Sequence, residues 1–257
     1  MNDLGWIISI AALWIGWAVL THVASGGPRG DALTWLGSRI ARLYALVFHN
    51  LRVEGLENMP EGNCPGKLVV VANHTAGIDP LLVQAICPFF VRWMMARDMR
   101  LPALELFWQW AEVISVDRTQ REIAGARAAI RHLELGGVIG IFPEGMLERP
   151  ARQIMPFVGG VGLIVHKAKA PVLPIIIEGT PQVDPAWSSL WRTSRSTLRI
   201  LPVVHYEDSD LRSGAIADDL RQRFGAWTNW PLNDNPPPEL PGGKAKGAPM
   251  QAPKAVA

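Results

Sequence analysis

Only two of the 257 residues are cysteines, Cys64 and Cys87. They lack metal-ligand spacing, and two thiols cannot staple a chain of this length. Zinc-ribbon and disulfide-scaffold classes therefore fall away, and a pair of idle thiols fits a reducing compartment. No run of His and Cys offers a metal site, and no internal repeat is present. Charge is scarce as well: 19% of residues are charged and the formal net charge is +2. No block of Lys or Arg could track a nucleic-acid backbone, so nucleic acid is not an expected partner. Among the 25 cationic residues lysine is the rare one, with 19 arginines. Guanidinium is the group that forks onto phosphate or carboxylate oxygens, a weak pointer to phosphate.

What is abundant is apolar. Hydrophobic residues make up 49% of the chain, and there are 11 tryptophans. Residues 4–24, "LGWIISIAALWIGWAVLTHVA", carry no charge. At 1.5 Å per residue a helix of about 20 residues matches a bilayer core of about 30 Å, so the segment is expected to be a membrane anchor. "MND" before it has no basic region, which argues against a cleaved signal peptide. Asp3 precedes the segment and Arg29, Arg39 and Arg42 follow it, so the positive-inside rule places the rest of the chain on the cytoplasmic face of the cell inner membrane. Over 32–48, Leu33, Leu36, Ile40, Leu43, Tyr44 and Val47 recur at helical spacing, with Ser38, Arg39 and Arg42 largely opposite. Such a helix either packs on the domain or lies in the headgroup layer, and the second is the expectation.

Beyond His49, short apolar runs alternate with helical periodicity. Strands are expected at 51–56, 67–73, 138–143, 171–177 and 197–206, and helices at 80–87, 122–135, 157–169 and 211–227. This alternation predicts an α/β fold with a mostly parallel central sheet flanked by helices, behind an N-terminal membrane-anchoring helical segment. Three parts follow: an anchor and amphipathic helix over 1–48, an α/β domain over 49–230, and a tail over 231–257. The tail is rich in Pro, Gly and Ala and is expected to be disordered. Near 186–195, Trp187 and Trp191 beside Arg192 and Arg195 read either as an interfacial segment or as core packing.

Ligands in such sheets sit beyond the carboxyl ends of strands, and two chemically able groups fall there, His74 and Glu144. In "VVVANHTAGIDPLL" at 69–82, His74 follows an apolar run, and Asp79 stands just before Pro80. Asp then Pro is the usual start of a helix, so Asp79 reads as an N-cap. A fixed carboxylate can also hold a histidine ring while its other nitrogen takes a proton. "VIGIFPEGM" at 138–146 again ends a strand in a turn, and "EVISVDR" at 112–118 ends in Arg118.

Together and in order, these blocks resemble the glycerolipid acyltransferases, the group that includes lysophosphatidic acid acyltransferase. "NHTAGID" is similar to that family's Asn-His-x4-Asp box, "FPEG" to the start of its Phe-Pro-Glu-Gly-Thr-Arg box, and "ISVDR" to its substrate-binding arginine block. "APVLPIII" at 170–177 and "VEGLENMP" at 53–60 resemble two further segments, so the likeness covers 50 to about 180.

The resemblance implies transfer of a fatty acyl group from an acyl thioester to the free hydroxyl of a lysophospholipid. The first candidate acceptor is 1-acylglycerol 3-phosphate, which would give phosphatidic acid. It also implies His74 as general base, Asp79 as its orienting partner, and a substrate pocket drawn from Asn73, Arg118, Phe142, Pro143, Glu144, Gly145 and Arg149. No cofactor is implied. Acyl-coenzyme A or an acyl carrier protein would be the donor, and membrane lipids the partners. Where the family continues Thr-Arg after "FPEG", this chain has Met146 and Leu147, and Val158 stands where a Lys is common. Arg149 and Arg152 are the nearest cations. Another lyso-lipid acceptor, such as a lyso-ornithine lipid, and a non-catalytic lipid-binding protein of the same fold stay open as alternatives.

Overall fold

The computed structural model describes residues 3–117, 123–149 and 151–234. Two helices lead, α1 (Asp3–Ser25) and α2 (Ala32–His49), and α1 packs against α2. The domain that follows runs β1 (Arg52–Glu54), β2 (Leu68–Ala72), α3 (Asp79–Ile86), β3 (Arg92–Ala96), α4 (Glu105–Trp110) and β4 (Ile114–Val116). It continues with α5 (Ile123–Glu134), β5 (Val138–Ile141), α6 (Gly160–Ala168), β6 (Val172–Glu178), β7 (Thr197–Ile200) and α7 (Ser213–Thr228). The seven strands form one sheet in the order β1-β7-β6-β2-β5-β3-β4, parallel except where β6 meets β7.

β2 lies at the centre, and every one of its residues is buried, as a strand covered on both faces requires. Its alternate residues feed two cores. Val70 and Ala72 face a cluster that includes Ala41, Ala45 and the α3 residues Leu82 and Val83. Val69 and Val71 face a cluster built with α5, α6 and α7. The sheet therefore separates an α2/α3 layer from an α5/α6/α7 layer. In the second layer α6 and α7 pack closely at Gly162, where a Cβ would fall 1.8 Å from the Ser213 carbonyl oxygen.

The expected strands and helices of the domain are all present, but the sequence reading passed over three elements. β3, α4 and β4 lie in 92–116, where tryptophans and charged residues break any clean period. The final strand also ends earlier than expected, at Ile200, and beyond it only Val204 bridges back to Val172. Of the expected tail, 231–234 is held to the domain: Leu232 bridges Ile154, and the Asn233 amide donates to Gln153 Oε1 at 2.8 Å. The rest of the tail lies outside the described residues.

The N-terminal expectations divide. Among the described residues, no helix is long and apolar enough to cross a membrane, so a spanning helix is not supported. Arg29, one of the arginines that follow α1, stacks its guanidinium 3.6 Å from the Phe90 ring centroid and pairs with Glu112 at 3.5 Å. α2 packs on the domain, the alternative set second, and keeps an apolar face turned outward. Its small residues Thr34, Ala41 and Ala45 are buried toward the domain, while Leu33, Leu36, Ile40, Leu43 and Val47 stand exposed. Tyr44 leaves that outward face, because its hydroxyl donates to the Leu190 carbonyl at 2.5 Å. The tryptophan pair also splits across a 3-10 turn at Ala186–Trp191. Trp187 donates to the Met99 carbonyl at 3.2 Å, whereas Trp191 is 82% exposed.

Candidate functional site

β2 and β5 are neighbours in register, with Val71 opposite Ile141, so the turns that leave their carboxyl ends meet. One turn carries His74 and the other Glu144. Asn73 ends the β2 run. It is fully buried, its side-chain amide donates to the Ile177 carbonyl at 2.9 Å, and its carbonyl accepts from the Ile177 N–H at 2.8 Å. Asn73 thus stitches β2 to β6, and its side chain also hydrogen-bonds Glu148. Asn73→Ala would leave a buried N–H and C=O unpaired, at about 1–3 kcal/mol for each group left unsatisfied. Urea unfolding of that variant should show a loss in this range.

Asp79 is also fully buried, but it does not cap its own helix. Its Oδ2 reaches back to accept from the N–H of Thr75 at 2.7 Å and of Ala76 at 2.8 Å, and it lies 3.0 Å from His74 Nδ1. The Asp-Pro pair starts α3 as expected, but the carboxylate is turned onto the preceding turn. A carboxylate only accepts, so with Asp79 ionised and the ring neutral this contact puts the proton on Nδ1 and leaves Nε2 its lone pair. Gly77 lets this turn lie against the neighbouring loop, since a Cβ there would stand 2.6 Å from the Ala186 carbonyl oxygen.

The His74 ring is held on its face as well as at its edge. It stacks on Phe142 with centroids 4.0 Å apart, and Phe142 stacks on Trp93 at 4.7 Å. Gly140 makes room for this column, because a Cβ would lie 2.5 Å from the Trp93 ring. Phe142 therefore braces the histidine. Trp93 sits on β3, the strand missing from the sequence reading, so the column could not be read there.

The β5 turn closes over the same histidine. The His74 N–H donates to Glu144 Oε1 at 3.2 Å, and the Glu148 N–H donates to the His74 carbonyl at 2.6 Å. Glu144 is 5% exposed, and burial pushes its carboxyl up to about 8. Burial likewise raises Glu148, to about 7. Pro143 is buried and its carbonyl accepts from Val158 at 2.7 Å, while Gly145 takes a φ of 68° that favours glycine. Pro143 and Gly145 thus shape the turn. Glu148, which carried no signal in the sequence reading, accepts from the Gln153 N–H at 3.2 Å and pins the loop.

Arg149 lies beside the histidine turn. Its Nη1 donates to the Thr75 carbonyl at 3.2 Å and to the Glu148 carbonyl at 2.7 Å, and its Nη2 stands 3.8 Å from Asp184. Arg118 lies outside the described residues. Among the described residues, no group of three or more His, Cys, Asp or Glu side chains could hold a metal ion.

Residues 50–178 match the family model described as Acyltransferase. The chain belongs to the acyltransferase family. It is 24% identical over 196 residues to a chloroplastic 1-acyl-sn-glycerol-3-phosphate acyltransferase of Brassica napus, covering 74% of this chain and 55% of that protein. It is 30% identical over 136 residues to the 1-acyl-sn-glycerol-3-phosphate acyltransferase of Borreliella burgdorferi, covering 50% of this chain and 51% of that protein. The like-named Bacillus subtilis protein is 24% identical over 181 residues, covering 68% and 86%. The chain thus spans about half the length of the first two relatives. Its fold is that of the crystal structure of the 1-acyl-sn-glycerophosphate acyltransferase of Thermotoga maritima, with a TM-score of 0.61 at 20% identity, covering 87% of this chain and 92% of the other. The family match spans the stretch in which the sequence blocks of this chain show their resemblance.

Proposed function

We propose that this chain is an O-acyltransferase that moves a fatty acyl group from an acyl thioester to the free hydroxyl of a lysophospholipid. The observation that carries the reading is the 3.0 Å contact between His74 Nδ1 and the buried Asp79 carboxylate, which leaves Nε2 of the partly exposed ring to act as a base. The acceptor hydroxyl gives its proton to Nε2 as its oxygen attacks the thioester carbonyl, and Asp79 stabilises the imidazolium that forms. Collapse expels the thiolate, which recovers the proton from the imidazolium. The products are a new ester and a free thiol, with no acyl-enzyme between them.

We place 1-acylglycerol 3-phosphate first among the acceptors, with Arg149 as a cation on the histidine turn for its phosphate and Arg118 as a second. One observation favours another lyso-lipid. Arg149 already serves two carbonyls, and the buried carboxyls of Glu144 and Glu148 share the turn, so positive charge is thin there. Purified protein given radiolabelled acyl-coenzyme A and a panel of lyso-lipids separates the two, because labelled phosphatidic acid is expected to dominate the products. Dominance of another diacyl lipid would replace that acceptor, and transfer to none would leave a lipid-binding protein.

The donor in this reading is an acyl-coenzyme A or acyl carrier protein. The protein works on the cytoplasmic face of the inner membrane, with α1 and the outer face of α2 seated in lipid. Leu36, Ile40, Leu43 and Val47 form one exposed stripe, and burying each large apolar side chain gains roughly 1.5–3 kcal/mol. Ile40→Asp with Leu43→Asp should therefore weaken cosedimentation with phospholipid vesicles by more than tenfold. The thermal midpoint should hold, because both side chains point away from the domain.

A further inference from the structure

The turn that carries His74 is also held by the end of β6, a strand that takes no part in the chemistry above. β6 runs parallel to β2 with Ala72 opposite Ile175, and the Asn73 side chain ties the two strands at Ile177. Just beyond that tie, Thr75 follows β2 and Thr180 follows β6. Their hydroxyls are hydrogen-bonded to each other, although 105 residues separate them along the chain. Both residues are buried, Thr75 at 3% exposure and Thr180 at 7%. Thr75 Oγ1 also stands 3.3 Å from each oxygen of the buried Asp79 carboxylate.

The backbone is shaped for this approach. Gly179 has a φ of 74°, and a Cβ there would fall 2.2 Å from the Arg195 carbonyl oxygen, so the turn that leaves β6 needs glycine. That turn brings Thr180 onto the histidine turn. Thr180 lies just past residues 50–178, the stretch that matches the family model.

Counting hydrogens gives the chain of hydroxyls a direction. Each hydroxyl has one hydrogen and two lone pairs, and an ionised carboxylate has no hydrogen to give. The contact of Thr75 with Asp79 therefore uses the Thr75 hydrogen, forked between the two oxygens. The bond between the two threonines is then left to the Thr180 hydrogen. Thr180 donates to Thr75 and Thr75 donates to Asp79, while His74 Nδ1 donates to the same carboxylate at 3.0 Å. Bonds aligned in this way polarise one another, and no proton needs to travel along them.

We infer that Thr180 is a positioning residue for acyl transfer. Through the Thr75 hydroxyl it fixes the Asp79 carboxylate, and through Asp79 it fixes the ring of His74 as the imidazolium forms. The inference rests on the acyl-transfer reading above and adds to it a side chain that never meets the reacting atoms.

The test compares Thr180→Val, which keeps the bulk and removes the hydroxyl, with Thr180→Ser, which restores it. Purified full chain is given acyl-coenzyme A and 1-acylglycerol 3-phosphate. Thr180→Val is expected to lower kcat about three- to tenfold, the rate equivalent of one hydrogen bond, with the acceptor KM held within about twofold. Thr180→Ser should recover most of that loss. A second readout is independent of turnover: the Nδ1 proton resonance of His74 in detergent-solubilised protein carrying isotope-labelled histidine, assigned by its loss in His74→Ala. It should shift or broaden in Thr180→Val and return in Thr180→Ser. Thr180→Ala takes the place of Thr180→Val if the valine variant does not fold. An unmoved resonance, an unchanged kcat in an active protein, or a loss that Thr180→Ser shares would each overturn the role. A resonance that Thr180→Val moves, in a protein that transfers to no acceptor, would keep the relay while sinking the transferase reading.

Discussion

His74→Ala is expected to lower kcat for acyl transfer by about 10²- to 10⁴-fold, the usual worth of a positioned general base, with the acceptor KM changed far less. The ring contributes its lone pair at Nε2 and only stacking at its faces, so removing it takes away an interaction that matters in the transition state. Asp79→Asn separates orientation from basicity. Asparagine can present an N–H where the carboxylate accepted, which would favour the tautomer with Nδ1 bare and Nε2 protonated. Because Oδ2 also accepts from Thr75 and Ala76, the variant should lose stability as well as rate. Urea unfolding beside initial-rate kinetics distinguishes the two losses. His74→Ala should show mainly the second with a smaller share of the first, since its four-fifths buried ring also stacks on Phe142 and pairs with Asp79.

The next largest effect is on stability and follows from Glu144, a buried carboxyl raised from 4.5 to about 8 by desolvation. Its folded-state pKa lies above its unfolded value. The group's contribution is therefore fully present below pH 4.5 and is lost as pH rises through about 8. Across that window unfolding releases close to one proton, and stability falls by roughly 1.4 kcal/mol per pH unit from this group alone. Glu144→Gln keeps an oxygen for the His74 N–H but cannot ionise. Thermal midpoints measured from pH 5 to 9 should converge at the acid end and favour the glutamine variant at the alkaline end. Parallel curves for the two proteins would show that Glu144 ionises in the folded state without cost.

Much of this architecture was legible in the sequence because two periodicities were clean. The fully apolar runs at 68–72 and 172–177 announced central parallel strands, and the stripe on 32–48 announced a helix with an outward apolar face. The pairing of His74 with Asp79 was legible only through the likeness of four ordered blocks, since Asp before Pro has an ordinary reading as a helix start. In the structure that ordinary reading is half right. Pro80 begins α3, but the Asp79 carboxylate turns back to Thr75 and Ala76 instead of forward onto the helix.

What stayed hidden depended on contacts between distant segments. β3 breaks any simple period because Arg92 and Trp93 sit side by side, and with β3 missing the column from Trp93 through Phe142 to His74 had no support. Asn73 looked like a ligand group because it stands beside the histidine. Its pairing with Ile177, on a strand far along the chain, gives the amide a structural role that no local spacing announces.

The central claim is direct transfer assisted by His74, and one single-turnover measurement tests it. Purified protein is mixed with radiolabelled acyl-coenzyme A and 1-acylglycerol 3-phosphate, quenched over time, and resolved into lipid and protein fractions. The account predicts label moving from the thioester to the diacyl lipid in one phase, with none covalently on the protein and the rate lost in His74→Ala. Label accumulating on the protein before the lipid, or transfer that proceeds undiminished without His74, would contradict it.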